Sequence, residues 1–247
     1  MRIFEIQENS PQATLINIEA SDIYNFLSEK CPIAVSSPIN IYRGINTVHV
    51  NKLIYGDSRT IERVSANTEN YYTLIIDNFL PEWNRYPKRS KSFICTSDLD
   101  DASCYGTVYQ VYPLNNPLVG VCPTSDFWNA FENLNLGSFS YYFKSFASYC
   151  DMIPIDNIQT VSKIIDALNK NWHVLLKSED FVEHICDNFS ISFETLSKFT
   201  SFSQALSHAL NPGKNFFGLY KLSVLPTLTD SHELWFSGPA YFVEEEY

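Results

Sequence analysis

Ser92-Phe93-Ile94-Cys95-Thr96-Ser97-Asp98-Leu99-Asp100-Asp101-Ala102 opens as a strand, rich in β-branched and aromatic residues, and runs into turn formers. Cys95-Thr96-Ser97 falls at the strand end, where small hydroxyl and thiol groups can line a cleft, although strand ends commonly carry such residues. Thr107-Val108-Tyr109-Gln110-Val111-Tyr112 reads as a second strand of the same kind. Upstream, Ile39-Asn40-Ile41-Tyr42-Arg43 alternates apolar and polar residues like a strand that Arg43 closes. Residues 1–40 mix a short strand, a helix and a loop. Within them Ser21-Asp22 can cap a helix through Ile23, Phe26 and Leu27 that Cys31-Pro32 ends. A further helix is expected between residues 57 and 80, through Ile61, Val64 and the stretch Asn67 to Tyr72.

From Thr124 to Asn211 the periodicity turns helical. Phe127, Trp128 and Phe131 share one face by spacing, as do Val161, Ile164, Ile165 and Leu168. Phe181, Val182 and Ile185 follow, then Leu196, Phe199, Ala205 and Leu206, before the stop signal Asn211-Pro212-Gly213. Two strand-like segments close the chain, Phe216 to Leu225 and Leu234 to Val243, joined by the polar stretch 226–232. Strands, a helical insertion at about 124–211 and strands again predict an α+β fold in one domain spanning 1–247.

The bulk numbers agree with a packed core. The chain has 247 residues, 45 % hydrophobic and 15 % aromatic. With 17 Lys+Arg against 28 Asp+Glu its formal charge is -11, which disfavours non-specific binding to phosphate backbones. Tyr86-Pro87-Lys88-Arg89-Ser90-Lys91, beside Arg85, is either a local basic strip or a solvated loop before a strand. Met1-Arg2-Ile3-Phe4-Glu5 lacks the apolar stretch of a secretory signal, and no apolar run approaches the ~18 residues of a membrane span. The expectation is a soluble, cytoplasmic protein with no membrane partner. Its cysteines (Cys31, Cys95, Cys104, Cys122, Cys150 and Cys186) are scattered, with no C-x-x-C pair, and are expected as free, mostly buried thiols. His184 and Cys186 alternate without a second pair at ligand spacing, so no metal is expected.

No Gly-x-Gly-x-x-Gly, P-loop or Gly-x-Ser-x-Gly elbow occurs, and only eight glycines are present. A nucleotide's phosphates would then need a side chain, for which the charged, planar fork of Arg is suited. Arg43, followed by Gly44, is such a residue, read either as a ligand contact or as an exposed edge arginine; the glycine lets a ligand approach the backbone. Glu233 opens Glu233-Leu234-Trp235-Phe236 after a polar loop. A carboxylate there either stabilises an oxocarbenium-like state in glycosidic cleavage or is an ordinary polar first residue.

Taken together, these positions resemble the ADP-ribosyltransferase superfamily, in its branch marked by Arg, a Ser-Thr-Ser strand and a late Glu. Tyr42-Arg43-Gly44 looks like its arginine strand, and Ser92 to Ser97, with Leu99 and Ala102, like its Ser-Thr-Ser strand and the short helix after it. Val108 to Tyr112 and Pro113 are similar to the succeeding strand. Ser231-His232-Glu233-Leu234-Trp235-Phe236 looks like the loop and strand of the catalytic glutamate. The resemblance covers roughly 40–112 and 215–243, with the long second spacing taken up by the helical insertion. It departs from the family at Cys95, a thiol in place of the first serine. It departs again at Ser231, two residues before Glu233, where members often carry Glu or Gln to engage the acceptor. Glu244-Glu245-Glu246 is a literal Glu-x-Glu, but it lies one residue from the end.

The resemblance implies a split β-sandwich with an NAD cleft between two small sheets, on which Arg43, Cys95 and Glu233 should converge. NAD is then a substrate. Arg43 with Gly44 would hold its phosphate or ribose, and Cys95, Thr96 and Ser97 would support the nicotinamide half. Tyr72 or Phe93 would stack on nicotinamide, though aromatics in such positions are more often core residues. Glu233 would bond the ribose 2′-hydroxyl, and Ser231 would face the acceptor, a protein or a nucleic acid. Many intracellular stand-alone members are bacterial or phage toxins or defence effectors, and a toxin would need an antitoxin. The competing class is a non-enzymatic α+β module that binds a partner through its aromatic helices.

Overall fold

The computed structural model describes residues 14–46, 53–61, 63–64, 68–131, 136–155 and 157–245. Their strands are β1 (Thr14–Leu15), β2 (Tyr42–Ile45), β3 (Leu53–Asp57), β4 (Phe93–Thr96), β5 (Thr107–Pro113), β6 (Leu118–Val121), β7 (Gly218–Lys221), β8 (Glu233–Phe236) and β9 (Pro239–Glu244). Their helices are α1 (Ile23–Lys30), α2 (Pro32–Val35), α3 (Asn70–Phe79), α4 (Leu99–Ser103) and α5 (Leu136–Tyr149), then α6 (Ile158–Lys170), α7 (Trp172–Leu175), α8 (Glu179–Phe189), α9 (Phe193–Leu196) and α10 (Phe202–Ala209). The fold is α+β.

The chain divides into two compact units. One comprises residues 1–67, 85–127 and 216–247; the other comprises 68–84 and 128–215. The helical unit thus takes in α3 as well as the stretch expected at about 124–211.

The first unit holds all nine strands, in the order β1-β3-β9-β5-β2-β4-β8-β6-β7, with every pairing antiparallel. The seam between β2 and β4 is a single pair, Tyr42↔Thr96, whereas β2 meets β5 at four positions and β4 meets β8 at four. The sheet folds back about this thin seam. Phe93 of β4 and Phe242 of β9 pack edge to face at 5.0 Å, although two strands separate them in the sheet order. Side chains alternate between faces along a strand, so each cross-strand row contributes to one face. Phe93, Cys95, Tyr109, Val111, Leu234, Phe236 and Phe242 form the core face. On the other face α1 covers Leu53, Tyr241 and Val243 with Ile23, Phe26 and Leu27.

α4 packs on β2 at Gly44, where a Cβ would lie 2.1 Å from the Ala102 carbonyl oxygen. Asp98 caps this helix by accepting the Asp101 amide at 2.9 Å, a contact worth about 1 kcal/mol. The close approach at Gly44 is therefore made by α4 rather than left open for a ligand.

In the helical unit Val161, Ile164, Ile165 and Leu168 of α6 are all buried, as their spacing predicts. Aromatic side chains fill much of the remaining interior, with Tyr71 stacked on Phe143 and Phe139 on Phe202. Two tryptophans anchor their indole N–H groups on carbonyls, Trp83 on Leu210 at 2.7 Å and Trp172 on Phe199 at 2.9 Å. Asn157, Ser178, Ser192 and Ser201 each cap the helix that follows.

Several sequence expectations are corrected. The helix expected over 57–80 is β3 closing at Asp57, a 3-10 turn over Ser58–Thr60, and α3 only from Asn70. Asp57 ends the strand by accepting the Arg59 amide, and Leu53–Asp57 is claimed by pairing with β9. Asn67 lies outside the described residues. Residues 123–130 form turns, so Phe127 and Trp128 share no helix face and belong to different units. The last strand-like segment is two strands, β8 and β9, broken at Gly238, whose φ of +126° suits glycine. β6 was not foreseen. It is short, and its Gly120 accommodates the Trp235 ring, which would lie 2.2 Å from an added Cβ.

Candidate functional site

β2, β4 and β8 lie side by side, so the three sequence-selected elements adjoin. Their side chains do not share a face. Arg43 pairs in register with Tyr109, a core residue, and lies beside Cys95 and Phe93. Its Nη1 donates to the Ile94 carbonyl at 2.5 Å, across the thin seam. Glu233 pairs in register with Thr96, while its neighbour Leu234 enters the core, so Glu233 projects from the opposite face. Arg43 and Cys95 therefore do not converge with Glu233, as the resemblance required.

Arg43 is not an exposed edge residue. It is 8 % exposed, its Nε has no hydrogen-bond partner, and no carboxylate pairs with it among the described residues. Burial pushes its proton affinity down, partly opposed by the Cys95 sulfur. Burial pushes the Cys95 thiol up to about 12, against the pull of Arg43. Cys95 is thus a neutral core side chain.

Thr96 and Ser97 serve different contacts. Thr96 Oγ1 accepts the Asp98 amide at 3.1 Å and lies 3.5 Å from Ser231 Oγ. Ser97 Oγ accepts the His232 amide at 2.9 Å and donates to the Asp230 carbonyl at 3.2 Å, tying the end of β4 to the loop before β8. The hydroxyl beside Glu233 is therefore that of Thr96, not the group at position 95.

Glu233 is held by an ion pair that the sequence did not disclose. Arg89 Nη1 lies 2.5 Å from Glu233 Oε1, with both side chains at most 5 % exposed. The Phe127 amide donates to Oε2 at 3.3 Å. The Arg89 guanidinium sits 3.7 Å from the Phe127 ring centroid and 5.3 Å from that of Trp235. Trp235 is itself packed by Tyr86, Phe127 and Phe217, and its indole N–H donates to the Pro87 carbonyl. An aromatic box of this kind lowers the local dielectric and strengthens the charge pairing it encloses.

The stretch 86–91 is consequently neither a basic strip nor a solvated loop throughout. Tyr86 and Arg89 are buried and Lys91 is half-buried, leaving Lys88 as its exposed cation, with Arg85 exposed beside it. Their spacing is no different from that of an exposed basic loop, so no local signal marked Arg89.

Around the Thr96 end of the site, Ser231 Oγ donates to Asp101 Oδ2, and His232 Nδ1 lies 2.7 Å from the Cys122 carbonyl oxygen. Burial pushes the Tyr105 hydroxyl up to about 12, with added repulsion from Asp101, Cys104, Asp126 and Glu233. Asp101 and Tyr105 were not singled out from the sequence as site residues.

Tyr72 belongs to the helical unit, where its ring packs against Tyr71, Trp128 and Phe139 in the core. Phe93 is likewise core, against Phe236 and Phe242. Glu244 closes β9 opposite Tyr109, Glu245 donates its amide to the Val108 carbonyl, and Glu246 lies outside the described residues. Among the described residues no group of His, Cys, Asp and Glu is arranged to hold a metal, and no helix is long and apolar enough to cross a membrane. All six cysteines are free; Cys31, Cys95 and Cys122 are buried and Cys104 is exposed. A concavity of about 350 Å³ in the helical unit, lined in part by Met152, Ile153, Asn157 and Lys163, contains none of the sequence-selected residues. No family model, curated protein or solved structure matches this chain.

Proposed function

We propose that this chain is an NAD-dependent ADP-ribosyltransferase with an ADP-ribosyltransferase-like split β-sandwich, transferring ADP-ribose to a macromolecular acceptor. The observation that carries the reading is Arg43, a buried guanidinium with an orphaned Nε and no carboxylate partner among the described residues. A buried cation is expensive without a counter-charge, and a dinucleotide pyrophosphate supplies one. Its position at the thin β2–β4 seam agrees with this, because the seam is where the sheet offers least backbone pairing to a competing ligand.

In this reading Thr96 takes the supporting role expected of position 95, since it stands opposite Glu233. Glu233 bonds the ribose 2′-hydroxyl, and that bond strengthens as nicotinamide leaves and positive charge develops on the sugar. Oε2 is the oxygen released for it, because its contact with the Phe127 amide is long, while Arg89 keeps Oε1. Reaching Oε2 requires the turn at 123–127 to move aside. The ligand also has to pass the end of the seam to engage Arg43 and Glu233 from opposite faces. Gly44 serves the packing of α4, and Tyr72 the packing of the helical unit. Action as an intracellular toxin or defence effector, with an antitoxin partner, accompanies this reading.

A second reading, a non-enzymatic α+β binding module, is favoured by one observation: both carboxylate oxygens of Glu233 are occupied in a closed, aromatic-walled ion pair. Incubation with labelled NAD and a cell lysate separates the two. Label in protein or nucleic acid is the expected result; label in neither, with no free ADP-ribose, favours the module.

A further inference from the structure

This inference is independent of the transferase reading and concerns one end of the sheet. β7 is the last strand in the order, and among the described residues no strand pairs with its outer side. Its register with β6 fixes which backbone groups that side presents. The Leu222 amide donates to the Pro117 carbonyl, so by alternation Gly218 and Tyr220 bond to β6, while the N–H and C=O groups of Leu219 and Lys221 point outward. The side chains of Tyr220 and Lys221 are exposed. The Tyr220 ring lies along the strand over Gly218, where an added Cβ would meet it at 2.5 Å. Exposed apolar side chains flank β7 on either side in sequence. Phe216 is 83 % exposed and held at a φ of +59°, which a bulky residue adopts only under strain, and Val224 is 67 % exposed.

Charge decides what fits this edge. The chain has 28 Asp+Glu, yet residues 102–125 and 216–229, which contain β6 and β7, hold none, and Lys221 is their only charged residue. A lysine on a free edge guards against pairing with a second copy. Such a copy would bring to the edge another Lys221 and no acid. A carboxylate opposite Lys221 is instead complementary to it. Successive residues of an added strand alternate faces, so the residue next to that carboxylate lies on the Tyr220 face. We propose that the outer edge of β7 is an interaction surface that takes up an extended segment of a partner protein as a further strand, acidic opposite Lys221 and apolar beside Tyr220. Main-chain hydrogen bonds to Leu219 and Lys221 supply affinity, and the alternating side chains supply selection.

The test titrates the intact chain with a capped Thr-Val-Glu-Val-Glu-Val-Thr peptide and follows amide hydrogen exchange by NMR. Exchange at Leu219 and Lys221 should slow about tenfold, while Gly218 and Tyr220, already bonded to β6, stay unchanged. Lys221→Glu alters an exposed side chain and should weaken binding of this peptide about tenfold, with a gain for the same peptide carrying Lys in place of Glu. N-methylation of alternate peptide amides, on the side that bonds to β7, should abolish the protection. No protection at millimolar peptide, or equal binding of the Glu and Lys peptides by the wild type, overturns the proposal. Protection of the same two amides that rises with protein concentration in the absence of peptide assigns the edge to a second copy and overturns it as well.

Discussion

Arg89 and Glu233 are 144 residues apart in sequence yet form an ion pair of 2.5 Å, roofed by the rings of Phe127 and Trp235. Both groups leave water to make it, so the pair is tolerable only while both partners are present.

Removing one partner should therefore be far worse than removing both. Arg89→Met leaves a buried carboxylate and should cost about 3–5 kcal/mol of unfolding free energy, whereas the Arg89→Met, Glu233→Leu double variant should recover most of it. Urea unfolding of the four proteins of this cycle measures the coupling; additive single effects would show that the pair is not energetically linked.

The same pairing changes how Glu233 must be tested. Glu233→Ala strands the Arg89 charge, so loss of transfer in that variant would mix catalysis with stability. Glu233→Gln keeps a hydrogen-bond acceptor for Arg89 though not its counter-charge, so it should cost less stability than Glu233→Ala, stay folded by circular dichroism, and abolish transfer from NAD. Unchanged turnover in Glu233→Gln would remove Glu233 from the chemistry.

Arg43 should behave in the opposite way. Its guanidinium gains one carbonyl contact and loses its hydration, so Arg43→Met should raise the unfolding free energy by about 1 kcal/mol. Under the transferase reading the same variant loses NAD affinity by calorimetry. A large destabilisation instead would assign Arg43 a structural role.

Gly44→Ala places a methyl group against the Ala102 carbonyl oxygen and the Tyr105 Cβ. Backbone cannot yield as a flexible side chain does, so the cost should be about 1–3 kcal/mol. A substitution that leaves the denaturation midpoint unchanged would show that α4 does not rest on β2.

Alkali should unfold the protein through its buried thiols. Burial raises Cys31 to about 11 and Cys95 and Cys122 to about 12, from 9.0. Above pH 9 the unfolded chain releases these protons while the folded chain keeps them, so stability present below that pH is lost as pH rises toward 12. The slope is up to about 1.4 kcal/mol per pH unit for each thiol. Serine at both Cys95 and Cys122 should flatten the decline in denaturation midpoint between pH 9 and 11; an unaltered slope would exclude these thiols as its source. Native-state alkylation read by mass spectrometry should mark the exposed Cys104 first.

The amino-acid sequence by itself determined much of the local architecture. The β-branched and aromatic content of Phe93–Thr96 and Thr107–Pro113, the spacing of Val161, Ile164, Ile165 and Leu168, and the stop at Asn211-Pro212-Gly213 are all expressed in the fold. Such elements are legible because periodicity of two or 3.6 decides which face is apolar. Only tertiary structure decided that Leu118–Val121 is a strand, that the sheet turns back at Tyr42↔Thr96, and that Arg43 and Glu233 leave it on opposite faces. A register shift of one residue reverses a side chain's face, and register is set by pairing between distant segments. For the same reason Arg89 resembled an exposed basic residue until Phe127, Trp235 and Glu233 were brought around it. Desolvation belongs to the assembled neighbourhood, not to any one stretch of chain.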